Sequence, residues 1–108
     1  MLRESRDRPG VGILNDNIYL VGGASTRELL SLVEKWDGTN WTQVAPLNIA
    51  REGPGVVGHG GHLYVIGGRG SEGTVEKYDP ETDTWHVLDI KVTCPDQEYT
   101  AVILDRVV

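Results

Sequence analysis

Short apolar runs of Val, Ile, Leu and Tyr recur along the chain, each closed by Gly, Asn, Asp or Pro. Runs of a few residues between turn formers predict β-strands, because β-branched and aromatic side chains fit a pleated surface and the breakers reverse the chain. The pairs Asn15-Asp16, Gly60-Gly61, Asp37-Gly38 and Asp79-Pro80 suit tight hairpins between them. One stretch dissents. In "STRELLSLVEKW" (25–36), Ser25 stands three residues before Glu28 like a capping box, and leucines follow at helical spacing.

The pattern repeats. "RDRPGVGILNDNIYLVGG" (6–23) aligns with "REGPGVVGHGGHLYVIGG" (51–68) at a constant offset of 45, pairing Arg6 with Arg51 and Tyr19 with Tyr64. Further on, "VEKWDGTNW" (33–41) matches "VEKYDPETDTW" (75–85) at an offset of 42 that becomes 44. A third copy begins, with "TAVILDRVV" (100–108) following "VGILNDNIY" (11–19). The expected division is therefore 1–45, 46–89, and 90–108 as a linker with the first strands of a third unit. Each whole unit reads as four strands: a at 9–14 or 54–59, b at 17–22 or 62–67, c at 33–37 or 75–79, d at 41–44 or 85–88. In the second unit Thr74-Val75-Glu76-Lys77-Tyr78 follows glycines and cannot be the helix suggested for 25–36, so strand takes precedence over 33–37. A helical turn is allowed within 26–31.

The repeat also decides a phosphate-loop question. Gly68-Arg69-Gly70-Ser71-Glu72-Gly73 spells GxGxxG, yet a dinucleotide loop needs a helix after it, and a strand is expected from residue 75. The first unit keeps only Gly22-Gly23 at this place. The doublets Gly22-Gly23 and Gly67-Gly68 are read as architectural, placed where a strand ends against crowded backbone.

Those doublets, the aromatic at Trp36 and Tyr78, and the tryptophan at Trp41 and Trp85 resemble the kelch repeat, the four-stranded blade of a β-propeller. The phrasing of residues 6–23 is most similar to the BTB–kelch adaptors of cullin-3 ubiquitin ligases. The resemblance implies an all-β fold of kelch-type propeller blades, antiparallel meanders forming an incomplete propeller of about two and a half blades. It also implies a protein-interaction module, with substrate selection for ubiquitination as the task if the chain works within a BTB–kelch protein. A closed propeller needs at least four blades, so a fragment, a short isoform or a self-closing ring of copies is expected, with open blade edges able to self-associate. No BTB or BACK sequence is present to engage cullin. Actin binding and a fragment of a propeller enzyme are the alternatives.

Charge narrows the partners. Ten Lys and Arg against 16 Asp and Glu give a net charge of −6, which argues against nucleic acid or anionic membrane. No apolar run approaches the length of a spanning helix, the start lacks the apolar stretch of a signal peptide, and Cys94 is alone. A cytoplasmic setting fits these features. Asn40-Trp41-Thr42 is read as a turn rather than a glycosylation site.

In a four-stranded meander, connections alternate between two faces. The d–a and b–c loops (near 1–8, 24–32, 46–53, 69–74 and 89–98) share one face and gather Arg3, Arg6, Arg8, Arg27, Arg51 and Arg69. The a–b and c–d turns gather Asp16, Asp37, Asp79, Glu81, Asp83 and Asp105 against Arg106. Guanidinium forks suit carboxylates, so the first face is the candidate site for a protein partner, and an acidic peptide segment is the sharper reading. In BTB–kelch proteins partner peptides dock on that face, with an arginine before strand a and polar residues before strand c. The resemblance carries this to Arg8, with Gly53 as counterpart, and to Ser31, Leu32, Gly73 and Thr74; Gly53 and Leu32 depart from the polar pattern. The tentative partner-binding set is Arg8, Arg27, Ser31, Arg69, Ser71 and Thr74. Arg6 and Arg51 recur and read as structural, as do Glu34 and Glu76; Trp41 and Trp85 read as packing between blades. Tyr19 and Tyr64 read as core residues. No catalytic residue, metal or cofactor is expected. His59 and His62 straddle a hairpin without a third ligand, Cys94 reads as a free thiol, and the several His and Tyr ligands of a copper oxidase are not evident.

Overall fold

Asn15 and Asp16 both take positive φ, at 53° and 65°, and Gly60 and Gly61 do the same at 61° and 84°. That is the geometry by which a two-residue loop reverses a strand without splaying its arms. In the c–d turns an aspartate does the work. Asp37 Oδ1 accepts from the N–H groups of Thr39 and Asn40, each at 2.8 Å, and Asp79 Oδ1 accepts from Glu81 N–H at 3.0 Å. The computed structural model describes residues 6–91. The third copy, with Cys94, Asp105 and Arg106, and Arg3 at the other end lie outside the described residues.

Within them stand eight strands and no helix: β1 (Gly10–Leu14), β2 (Asn17–Val21), β3 (Val33–Trp36), β4 (Trp41–Val44), β5 (Gly55–His59), β6 (His62–Ile66), β7 (Thr74–Asp79) and β8 (Thr84–Lys91). They form two antiparallel sheets ordered β1-β2-β3-β4 and β5-β6-β7-β8, which are the two expected meanders. Register repeats with the sequence: Val11 pairs with Leu20 as Val56 pairs with Val65, and Trp36 pairs with Trp41 as Tyr78 pairs with Trp85.

Two expectations are corrected. No helical turn forms within 26–31. Ser25 Oγ does accept from the N–H groups of Arg27 and Glu28, as a cap would. However, Ser25 N–H donates to Glu28 O at 2.9 Å, and Ala24 bridges Leu29, so the segment closes as a hairpin-like turn. The cap chemistry was read correctly and its consequence was not. Strand d of the second unit also runs on to Lys91 rather than stopping near 88, after a register shift opposite Thr74 and Glu76.

The core lies between the sheets. Leu14, Tyr19, Val21 and Val33 of the first cluster with Leu63, Val65, Tyr78 and Trp85 of the second, and Leu47 of the connecting segment joins them. Tyr78 meets Tyr19 edge-on at 5.7 Å between ring centroids and lies 4.7 Å from Trp85. Burial of side chains of this size contributes up to ~1.5–3 kcal/mol each, so neither sheet is stable without the other's face. At β1 and β5 the backbones come unusually close: a Cβ on Gly58 would strike the carbonyl oxygen of Ile13. Polar clasps set the angle. Asp83 Oδ1 accepts from Ala45 N–H at 3.0 Å and from the Tyr78 hydroxyl at 2.7 Å, while Trp85 Nε1 donates to Ala45 O at 2.8 Å. Burial, then the hydrogen bond to Asp83, pushes the Tyr78 phenol well above its ordinary range.

Candidate functional site

The loop face is organised around Arg51, which lies fully buried at the start of the second unit. A buried guanidinium is tolerable only if its charge is matched and its donors are used. All five N–H groups have a partner. Nε donates to Ile49 O at 3.2 Å, Nη1 to Gly67 O and Thr74 O at 3.0 and 2.8 Å, and Nη2 to Thr74 Oγ1 and Glu76 Oε2 at 2.9 and 3.0 Å. Glu76 is equally buried and also accepts from Asn48 N–H, Asn48 Nδ2 and Ile49 N–H. Burial pulls the guanidinium below its usual pKa, and Glu76 opposes that pull.

The same residue joins the sheets through its main chain. Arg51 N–H donates to Leu30 O at 3.2 Å, and Arg51 O accepts from Gly23 N–H at 2.8 Å. This contact explains the first glycine doublet. Gly22 and Gly23 take φ of 66° and 111°, and a Cβ on Gly22 would lie 2.5 Å from Arg51 O. Gly67 and Gly68 repeat the conformation at 64° and 96°. The expected structural role of Arg6 is met as well: its buried guanidinium lies 3.5 Å from Glu34. Trp85 packs between sheets as expected, whereas Trp41 lies half-buried against Trp36, 5.4 Å away, on the outer face of the first sheet.

The remaining arginines are solvent-facing. Arg8 is exposed with a positive φ of 52°, and its carbonyl accepts from Gly53 N–H at 2.7 Å, so the predicted site residue touches its own second-unit counterpart. Arg27 is exposed at the tip of the β2–β3 loop. Arg69 answers it from the β6–β7 loop. Together with Ala24, Ser25, Thr26, Glu28 and Leu29 they line an open cleft of about 370 Å³ across the seam. Leu29 packs so tightly on Gly70 that a Cβ there would collide with it. Arg69 Nε and Nη2 both reach Glu52 Oε1 at 2.6 Å, yet the Arg69 side chain is 69% exposed against 10% for Glu52. The guanidinium therefore presents its open side to solvent.

Three polar members of the expected set sit differently. Ser71 is buried, with its hydroxyl donating to Gly68 O at 2.7 Å and accepting from Gly73 N–H. Thr74 Oγ1 donates to Ser71 O and receives Arg51. Both hydroxyls are spent shaping the β6–β7 loop and offer nothing outward. Ser31 is half-buried, and its carbonyl accepts from Leu47 N–H. Glu52 and Leu29 were missed as site residues; the interleaving of glutamates with arginines was the available signal. Among the described residues, no group of three or more His, Cys, Asp or Glu side chains is placed to hold a metal ion, and no helix is long and apolar enough to cross a membrane.

Comparison with known proteins agrees with the architecture. The Kelch motif family matches residues 50–89. The chain is 32% identical to Kelch repeat and BTB domain-containing protein 12 of Danio rerio over 79% of its length, and 33% identical to Kelch-like protein 35 of Mus musculus over 78%. It is also 36% identical to Beta-scruin of Limulus polyphemus over 62%. Among solved structures, a fungal alcohol oxidase of the AA5 family in complex with copper aligns over 77% of the chain with a TM-score of 0.66 and 27% identity, covering 18% of that enzyme. The chain belongs with the kelch-repeat proteins and is most similar to the kelch-like ones. It spans about 16% of the length of the first two relatives, so its two sheets are blades of an incomplete propeller.

Proposed function

We propose that this protein-interaction module recognises its partner on the loop face, through the cleft between Arg27 and Arg69, and that the partner segment is acidic. The observation behind this reading is the exposed Arg69 guanidinium, held on one side by Glu52 and open on the other, directly across the seam from Arg27. Glu52 is nearly buried and occupies one edge of the guanidinium, so an incoming carboxylate can take the exposed edge without displacing it. Arg8 extends the cationic face; Ser71, Thr74 and Ser31 shape the loops around it. Substrate recognition for a cullin-RING ubiquitin ligase, in the cytoplasm, is the task most in keeping with the kelch-like relatives. The division into units at 1–45, 46–89 and 90–108 belongs to the same reading.

Selection from a random peptide library tests it. The recovered peptides should be enriched in Asp and Glu. Arg27→Gln with Arg69→Gln should abolish their capture, whereas Thr39→Glu with Thr82→Glu, an equal charge change on the opposite turns, should leave it. Equal loss in both variants, or no acidic enrichment, would refute the proposal.

A further inference from the structure

Residues 8 and 53 hold the same place in the two units and the same kind of backbone, with φ of 52° at Arg8 and 65° at Gly53. Glycine enters this left-handed region freely, whereas a residue with a side chain is strained there. The second unit thus carries the residue that the backbone favours, and the first carries arginine at some loss of stability. The fold does not recover that loss. The Arg8 carbonyl accepts from Gly53 N–H at 2.7 Å, a bond that glycine at 8 would make equally well. The Arg8 guanidinium is exposed and makes no hydrogen bond or ion pair among the described residues.

That guanidinium is nonetheless placed. A Cβ on Gly53 would have Arg8 Nη2 at 3.4 Å, Nε at 3.7 Å and Cζ at 3.8 Å as its nearest neighbours. The planar fork therefore lies over Gly53, across the seam, in the space that a longer side chain at 53 would fill. The place adjoins the cleft. Asp7 bridges Ala24 and Glu52 bridges Arg69, each one residue before Arg8 and Gly53, and Ala24 and Arg69 line the cleft.

We propose that Gly53 determines specificity at the loop face: by offering no side chain it seats the Arg8 fork over the seam, where that one guanidinium takes a second carboxylate of the partner. On the acidic-partner reading, on which this rests, the bound segment carries two acidic residues close together, one received at Arg69 and the other at Arg8. Strain at Arg8 is the stability given up for that contact. A longer side chain at 53 would displace the fork or take up its donors, and the second carboxylate would lose its place.

Fluorescence anisotropy of the whole chain with labelled peptides recovered by the wild type, run beside urea unfolding, tests this assignment. Arg8→Gly should raise the urea midpoint, because the strain is relieved, and yet weaken binding about fivefold, the upper end for an exposed ion pair. Gly53→Asn, which suits the left-handed backbone, should weaken binding by about as much and add nothing to the loss in Arg8→Gly. Gly53→Ala should be the less stable of the two substitutions at 53 and still bind more tightly than Gly53→Asn, since its Cβ makes only ordinary contact with the fork. Affinities that follow the order of stability would mean a merely structural glycine and overturn the proposal, as would wild-type binding by Arg8→Gly. The two failures are separable. Peptides without acidic enrichment would remove the cleft reading and the proposal together, whereas acidic peptides bound equally by the wild type and Gly53→Asn would overturn the proposal alone.

Discussion

Replacing Arg51 by Lys keeps the positive charge beside Glu76 and removes only the fork. The guanidinium reaches five acceptors: Ile49 O, Gly67 O, Thr74 O, Thr74 Oγ1 and Glu76 Oε2. An ammonium group has three donors, so at least two of the five hydrogen bonds are lost. Each hydrogen bond to a charged group contributes ~1.5–3 kcal/mol, which sums to ~3–6 kcal/mol. That is a large part of the ~5–15 kcal/mol that holds an ordinary domain. Arg51→Met should be worse, because it also leaves Glu76 buried without its counter-ion, a loss of ~3–5 kcal/mol for the charge alone. Arg69→Lys is the control: its side chain is largely exposed, and its loss should stay within ~1 kcal/mol. Urea unfolding followed by tryptophan fluorescence reports the difference, with Trp85 in the core as a probe. A midpoint for Arg51→Lys equal to that of Arg69→Lys would refute the reasoning, since it would mean that charge and not the fork holds the seam.

Two further outcomes follow from the packing between blades. Gly58→Ala should destabilise by ~1–3 kcal/mol through overpacking alone, because its Cβ meets Ile13 O; an unchanged urea midpoint would contradict the close approach of β1 and β5. Tyr19 and Tyr78 should titrate above the usual phenol range, burial being the main cause for both. A raised folded pKa means that their stabilisation is complete below about pH 10 and is lost as pH rises beyond it. Phenolate absorbance and unfolding should therefore rise together in alkali, with Tyr78→Phe less sensitive; early ionisation without unfolding would contradict this.

Most of the fold was legible because the chain states it twice. Strand and turn assignments agreed between copies, and the repeated Arg6, Arg51, Glu34 and Glu76 read as structural, although only the fold shows that they pair as Arg6 with Glu34 and Arg51 with Glu76. The segment 25–31 was ambiguous for a physical reason. Ser25 caps N–H groups in a helix and in a turn alike, and only the bridge from Ala24 to Leu29 decides between them. The site was less legible. Ser71 and Thr74 are polar loop residues in sequence, yet they bond inward because the Arg51 network needs them. Nor does spacing along the chain reveal that Arg27 and Arg69, from different blades, face one cleft.

That cleft exists only if the two blades are held as one body, and a distance across it is the most direct measurement of the whole account. Spin labels at exposed Thr26 and Glu72, in a chain with Cys94 changed to Ser, bracket the seam. Double electron–electron resonance should give a single narrow distance distribution that broadens in Arg51→Lys. A broad distribution in the unaltered chain would contradict the account, for Arg27 and Arg69 would then share no preformed site.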